Sequence, residues 1–124
     1  MILLDTSVWV DHLHRGDALV VKALESGQVA AHAFVTGELA CGNLKSRQRI
    51  IELLQALPQL ASATDDEVLY YIERHKLMGR GIGYVDAHLL AAATIGRAML
   101  WTRDKRLREV AARLGIAHLE AGRR

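Results

Sequence analysis

The sequence predicts an α/β fold, a three-layer α/β/α sandwich around a central, mainly parallel sheet of four to five strands. Three observations carry this expectation. Short apolar runs alternate with segments of helical period, the pattern that joins parallel strands through helical crossovers. The 124 residues suit one domain, 1–124, long enough to bury about two-thirds of its unfolded surface. Hydrophobic residues make up 51% and charged residues 24%, a globular balance rather than that of a disordered tail.

Met1–Leu4 reads as a buried strand, and Asp5-Thr6-Ser7 behind it is a helix-start signal. Val8, Trp9, Asp11, His12 and Leu13 fit a first helix ending near Gly16. A second fits Asp17–Ser26 with Gly27 after it, then a short strand over Gln28–Ala31 and an apolar helix through Gly37–Cys41 to Gly42. Ser46–Leu57 carries Ile50, Ile51, Leu53, Leu54 and Leu57 at helical spacing, and Pro58 stops it. Thr64-Asp65-Asp66-Glu67 fits a capping box opening a helix to about Met78. Gly79-Arg80-Gly81-Ile82-Gly83 is a flexible loop. Tyr84–Ile95 is a strongly apolar helix, Ala98–Trp101 a strand, Lys105–Leu114 a basic helix and Ile116–Leu119 a last strand. In sheets of this kind the site lies beyond the carboxyl ends of the strands.

Composition excludes several classes. The longest stretches without Asp, Glu, Lys or Arg, Ser26–Gly37 and Leu53–Thr64, are 12 residues each. A membrane span needs ~20 apolar residues, so none is expected. Asp5 interrupts what would be the start of a signal peptide, and a lone cysteine cannot form an internal disulfide, so a cytoplasmic protein is expected. Net charge is +2 but unevenly spread. Residues 97–124 hold eight basic residues against three acids, and residues 1–96 hold eight against eleven, so the two parts are +5 and −3. A basic end attracts a phosphate backbone while leaving room for an acidic site elsewhere.

Four acids stand in unusual places. Asp5 ends the first strand, and Glu38 lies inside the otherwise uncharged segment Ala30–Leu44. Asp86 opens an apolar helix and shares its face with Leu89, Leu90 and Ala93, while Asp104 begins the basic helix. Asp5 and Asp104 also suit helix capping, worth ~1 kcal/mol each. That account is weaker for Asp86 and fails for Glu38, because Glu is not a favoured cap. At ~5 Å and an effective dielectric of ~20, each ionised pair would repel by roughly 3 kcal/mol. A convergent quartet must therefore protonate or hold a cation. Ligands that are mainly carboxylate point to Mg²⁺ or Mn²⁺, which binds phosphate and activates water for in-line attack. An acidic metal pocket beside a basic rim reads as a nuclease.

At these residues the sequence resembles the PIN-domain ribonucleases, and within them the VapC-type toxins of toxin–antitoxin pairs. The resemblance rests on Met1-Ile2-Leu3-Leu4-Asp5-Thr6-Ser7-Val8-Trp9, on Thr36-Gly37-Glu38-Leu39, on Gly83-Tyr84-Val85-Asp86-Ala87-His88-Leu89-Leu90-Ala91-Ala92 and on Leu100-Trp101-Thr102-Arg103-Asp104-Lys105-Arg106-Leu107. No single piece is specific; four in order across essentially the whole chain are. The resemblance implies a metal-dependent endoribonuclease that leaves 5′-phosphate and 3′-hydroxyl ends. Asp5, Glu38, Asp86 and Asp104 match the family's acidic quartet. Asp5 and Asp86 would be the principal metal ligands, with Glu38 and Asp104 completing the cage directly or through water. Thr6 matches a polar position that hydrogen-bonds within the site, and Thr102 is a second supporting candidate. The resemblance also implies a homodimer and a cognate VapB-type antitoxin whose C-terminal segment covers the groove, with DNA bound only through that antitoxin.

Other features are set aside. The six histidines show no zinc-site spacing, and His88 reads as a solvent-facing or satisfied structural residue. Cys41 reads as a small buried core residue. The glycine loop lacks dinucleotide-fingerprint spacing, and its Arg80 is a candidate phosphate contact, with Arg103 and Lys105. Trp9, Tyr70, Tyr71 and Trp101 read as core or dimer contacts rather than base-stacking platforms. The competing readings are a PIN scaffold that only binds RNA or protein, and a receiver-type signalling domain. The receiver wants an acid ending a mid-chain strand, which Pro58–Ala63 lacks. A haloacid-dehalogenase-like phosphatase would want a second Asp where Ser7 stands.

Overall fold

The computed structural model describes residues 1–120; Arg123 and Arg124 of the basic end lie outside the described residues. Strand β1 (Ile2–Leu4) is buried throughout and leads into α1 (Thr6–Arg15), which ends at Gly16. Gly16 has φ 71°, a left-handed turn that suits a residue without Cβ. Asp17 caps α2 (Ala18–Glu25) by accepting from the Leu19 N–H at 3.0 Å. After β2 (Val29–Ala30), α3 (Ala33–Ala40) is capped by an imidazole: His32 Nδ1 accepts the Phe34 N–H at 3.0 Å. Helix α4 (Arg47–Ala56) has no side-chain cap and stops before Pro58. The capping box of Thr64 and Glu67 forms as expected and opens α5 (Asp65–His75). That helix stops short of Met78, because Lys76 turns left-handed at φ 53°. Then follow α6 (Tyr84–Ile95), β3 (Met99–Trp101) and α7 (Lys105–Arg113).

The sheet has the order β2-β1-β3, all parallel, with helices on its two faces. It has three strands among the described residues rather than four to five. Two further segments touch the edges through single bridges, Ala31 with Gln59 and Leu100 with Ala117. On the first edge the Ala31 N–H donates to Pro58 O at 2.8 Å and the Leu60 N–H to Ala31 O at 2.9 Å. Pro58 has no N–H to continue the ladder. On the other edge the expected strand Ile116–Leu119 keeps one bridge, since Leu119 is 75% exposed and adds no packing to hold it.

Trp9, Trp101, Leu3, Leu4, Leu100 and Leu107 are fully buried around this sheet. Ala87–Ala93 of α6 are buried without interruption, which accounts for so strongly apolar a helix. The helix packs on β3 and α5, and Tyr71 OH meets Thr94 Oγ1 at 2.7 Å between α5 and α6. Because β1 and β3 run parallel, Asp5 and the turn Thr102–Asp104 emerge at the same end, where the Asp5 N–H donates to Trp101 O at 3.0 Å.

Candidate active site

Asp5 caps α1 and is only 6% exposed. Both its oxygens are held: Ser7 Oγ donates to Oδ1 and Thr102 Oγ1 to Oδ2, each at 2.5 Å. Burial pushes its carboxyl above the usual range, and these hydroxyls with the Val8 N–H pull it only part of the way back. Asp104 caps α7 by accepting the Leu107 N–H at 2.9 Å, and its own N–H donates to Thr102 Oγ1 at 3.1 Å. Thr102, itself 4% exposed, thus joins the two acids. Capping and membership of the acidic end coincide at Asp5 and Asp104, and neither role excludes the other.

Glu38 lies exposed on α3, and Thr6 Oγ1 donates to its Oε1 at 2.6 Å across 32 residues of sequence. Asp86 sits in the first turn of α6, half-buried, and reaches back to accept the Gly83 N–H at 3.1 Å. Its carboxyl is raised, first by burial and then by the negative charges of Asp104 and Glu38, against the lowering effect of the Gly83 N–H. The structure therefore brings all four acids to one end of the sheet, through Thr102, Thr6 and the mutual field at Asp86. Among the described residues no three acids, histidines or cysteines stand as a ready-made ligand set. The donor chemistry still fits a small hard cation. Mg²⁺ is commonly bound through one or two carboxylates and keeps several waters, and at Asp86 the charges of Asp104 and Glu38 add to the burial that raises its carboxyl.

The basic candidates differ from one another. Arg103 is engaged: Nε donates to Glu120 at 2.7 Å, Nη1 to Asp11 at 2.9 Å and Nη2 to Asp17 at 2.5 Å. Its guanidinium also lies 5.7 Å from the Trp101 ring centroid. Arg80 is exposed and donates from Nε to Lys76 O at 3.3 Å, and Lys105 is exposed at the start of α7.

Three participants escape the sequence reading. Ser7 holds Asp5 and accepts the Arg103 N–H at 3.0 Å; the Asp-Thr-Ser run signalled a cap but not this second use. Arg106 rests against Gly81, with no local sequence signal. His88, expected to be solvent-facing or satisfied, is instead buried at 2% exposure, with Nε2 3.2 Å from Asp65 Oδ1 and Nδ1 without a hydrogen-bond partner. Its ring lies between Phe34 and Tyr84, and Tyr84 OH donates to Asp65 at 2.7 Å. Trp9, Tyr71 and Trp101 are buried, whereas Tyr70 is 69% exposed. Cys41, expected in the core, is exposed. It lies two residues, about 200° of helix, past the buried Leu39 and so faces away from the core.

Comparison with known proteins extends this geometry. The family model described as PIN domain matches residues 2–113. The chain is 47% identical over 121 residues to Ribonuclease VapC32 of Mycobacterium tuberculosis, in both the CDC 1551 / Oshkosh and H37Rv strains, covering 97% of this chain and 98% of the relative. Among solved structures it is similar to a toxin–antitoxin complex from Klebsiella pneumoniae, at 24% identity and TM-score 0.63 over 84% of this chain and 87% of that one. It is also similar to FitAcB from Neisseria gonorrhoeae, at 22% identity and TM-score 0.62 over 90% and 94%. At such identities the two structures speak for the fold.

Proposed function

The chain belongs to the PIN-domain family, in its VapC-type branch, and from that premise we propose that it is an endoribonuclease toxin using Mg²⁺ or Mn²⁺. One observation carries the reading: Thr102 links Asp5 to Asp104 while Asp86 stands in the field of Asp104 and Glu38. Asp5 and Asp86 are the residues proposed to hold the ion, with Glu38 and Asp104 taking part directly or through water. When bound, the ion supplies charge neutralisation at the phosphodiester and an activated water for in-line attack.

The chain's own groups supply orientation. Ser7 and Thr102 hold both oxygens of Asp5, so its carboxylate has one pose. Thr6 occupies Oε1 of Glu38, which leaves Oε2 as the atom to take the proton of the attacking water. Arg80 and Lys105 are left to the RNA backbone, whereas Arg103 is excluded from it by its three carboxylates. No helix among the described residues is long and apolar enough to cross a membrane, and we place the activity in the cytoplasm. The reading extends to a second copy of the chain and to an antitoxin that covers the acidic end. Light scattering of the chain, alone and after co-expression with a co-encoded partner, tests both by mass.

The direct test is cleavage of an RNA panel by purified chain in Mg²⁺, Mn²⁺ or EDTA. Asp5→Asn and Asp86→Asn are each expected to lower the rate by ~100-fold or more. A second reading is a PIN scaffold that binds without cutting, since among the described residues no three acids, histidines or cysteines form a closed ligand set. Binding by wild type with no metal-dependent cutting, or equal cutting by the variants, would select it.

A further inference from the structure

Gly81 has φ 78°, and a side chain there would place Cβ 2.6 Å from Cδ and 2.7 Å from Nη1 of Arg106. The Arg106 side chain is thus laid over the backbone of the loop that leads into Asp86, so close that a Cβ at Gly81 would make it shift. Arg106 itself springs from α7, two residues after Asp104. It therefore spans the two segments that deliver Asp86 and Asp104. It is exposed, and it is in none of the ion pairs found among the described residues. The contrast with Arg103 is sharp. Arg103 is paired with three carboxylates, whereas Arg106, three residues on, is in no ion pair among the described residues.

We propose that Arg106, seated on Gly81, is a substrate-binding residue that grips a backbone phosphate of single-stranded RNA beside the acidic end. This inference rests on the ribonuclease reading and deepens it. A planar guanidinium with free donors suits a phosphodiester better than an ammonium does, through two parallel hydrogen bonds. A cation at the rim also draws the polyanion to an end of the sheet that would otherwise repel it. Gly81 acts through Arg106 and is a positioning residue: its missing side chain is what lets the guanidinium lie there.

The test pairs steady-state cleavage with binding of a fluorescein-labelled single-stranded RNA in EDTA at several salt concentrations. For Arg106→Ala, KM is expected to rise ~10-fold with kcat within about two-fold. The slope of log affinity against log salt should fall by about 0.7, the share of one phosphate contact on a single strand. Arg106→Lys should restore the slope but only part of the affinity. Gly81→Ala should weaken RNA binding in the wild-type background and add little on top of Arg106→Ala, with thermal melts confirming that each variant folds. An unchanged KM and salt slope in Arg106→Ala would overturn the assignment. So would a Gly81→Ala penalty of equal size in both backgrounds. If wild type neither binds nor cuts RNA, the ribonuclease reading itself falls and takes this one with it; cutting by wild type with an indifferent Arg106→Ala removes this one alone.

Discussion

Arg103 sends its three nitrogens to three carboxylates from three parts of the chain: Asp11 of α1, Asp17 at the cap of α2, and Glu120 after the last helix. Burial alone would lower its affinity for the proton, but the bonds from Glu120, Asp11 and Asp17 raise it, so the charge is permanent. Its backbone N–H meanwhile holds Ser7, and the preceding Thr102 holds Asp5, so the fork anchors the turn that orients the acid. A lysine offers one nitrogen where three are used. Arg103→Lys should therefore lose most of what Arg103→Ala loses, ~3 kcal/mol in urea unfolding, reduced by solvent at Asp11, whose side chain is 34% exposed. Wild-type stability in Arg103→Lys would show the fork to be dispensable. Nothing near Arg103 in the sequence announces this, because Asp11 and Asp17 lie 92 and 86 residues away. The sequence does disclose the acids themselves, since a carboxylate inside an apolar run needs a reason wherever the chain goes. Cys41 shows the opposite limit: in a short helix uncharged apart from Glu38, composition cannot say which side faces in.

Helix α3 carries Glu38, and its start depends on a histidine rather than on a Ser, Thr, Asp or Asn. His32 Nδ1 accepts the Phe34 N–H, so the ring is neutral there and its Nε2–H faces Ser62 Oγ at 3.3 Å. Burial, and then the charge of His88, holds its pKa below the ordinary 6.5. Between that ordinary value and the lowered one the unfolded chain binds more protons than the folded chain. The stabilisation is thus complete above 6.5 and is lost as pH falls through the lowered value. Thermal melts from pH 7.5 downward should show Tm falling below about pH 6.5, roughly where an exposed imidazole begins to charge. In His32→Asn, whose side-chain oxygen can still cap α3, the fall should be shallower. It should not vanish, because burial also lowers His118 against the charge of Glu120. An identical profile in the variant would remove His32 from the acid response. At this scale the sequence reads well where local chemistry decides, as in the capping box at Thr64 and the strongly apolar α6. It reads poorly where pairing partners decide, as at the edge where the expected strand Ile116–Leu119 shrinks to a single bridge.

Across the whole molecule the order of strands and helices follows from the alternation of apolar runs, and the parallel sheet then carries Asp5 and Asp104 to one end. What no local pattern shows is how the four carboxylates share that end, since the fork of Arg103 is turned to other acids. Asp5 and Asp86 both sit above the usual carboxyl range, chiefly through burial. For a carboxyl shifted this way the folded chain binds protons more tightly than the unfolded one, so its contribution to stability is greatest in acid and falls as pH rises through the raised value. At neutral pH the burial of these two ionised carboxyls therefore strains the fold. A bound cation should relieve that strain by simple linkage, ~2.7 kcal/mol at a hundred times its dissociation constant and so a rise of roughly 10 °C in Tm. Asp86→Asn should melt higher than wild type in EDTA at neutral pH, since the amide removes the repelling charge and can still accept the Gly83 N–H. The same variant should lose most of the Mg²⁺ or Mn²⁺ response, with sodium chloride at matched ionic strength as the control. A wild-type Tm indifferent to either metal, or a rise equal in Asp86→Asn, would mean that the acids hold no cation together and that their repulsion is relieved by a partner instead.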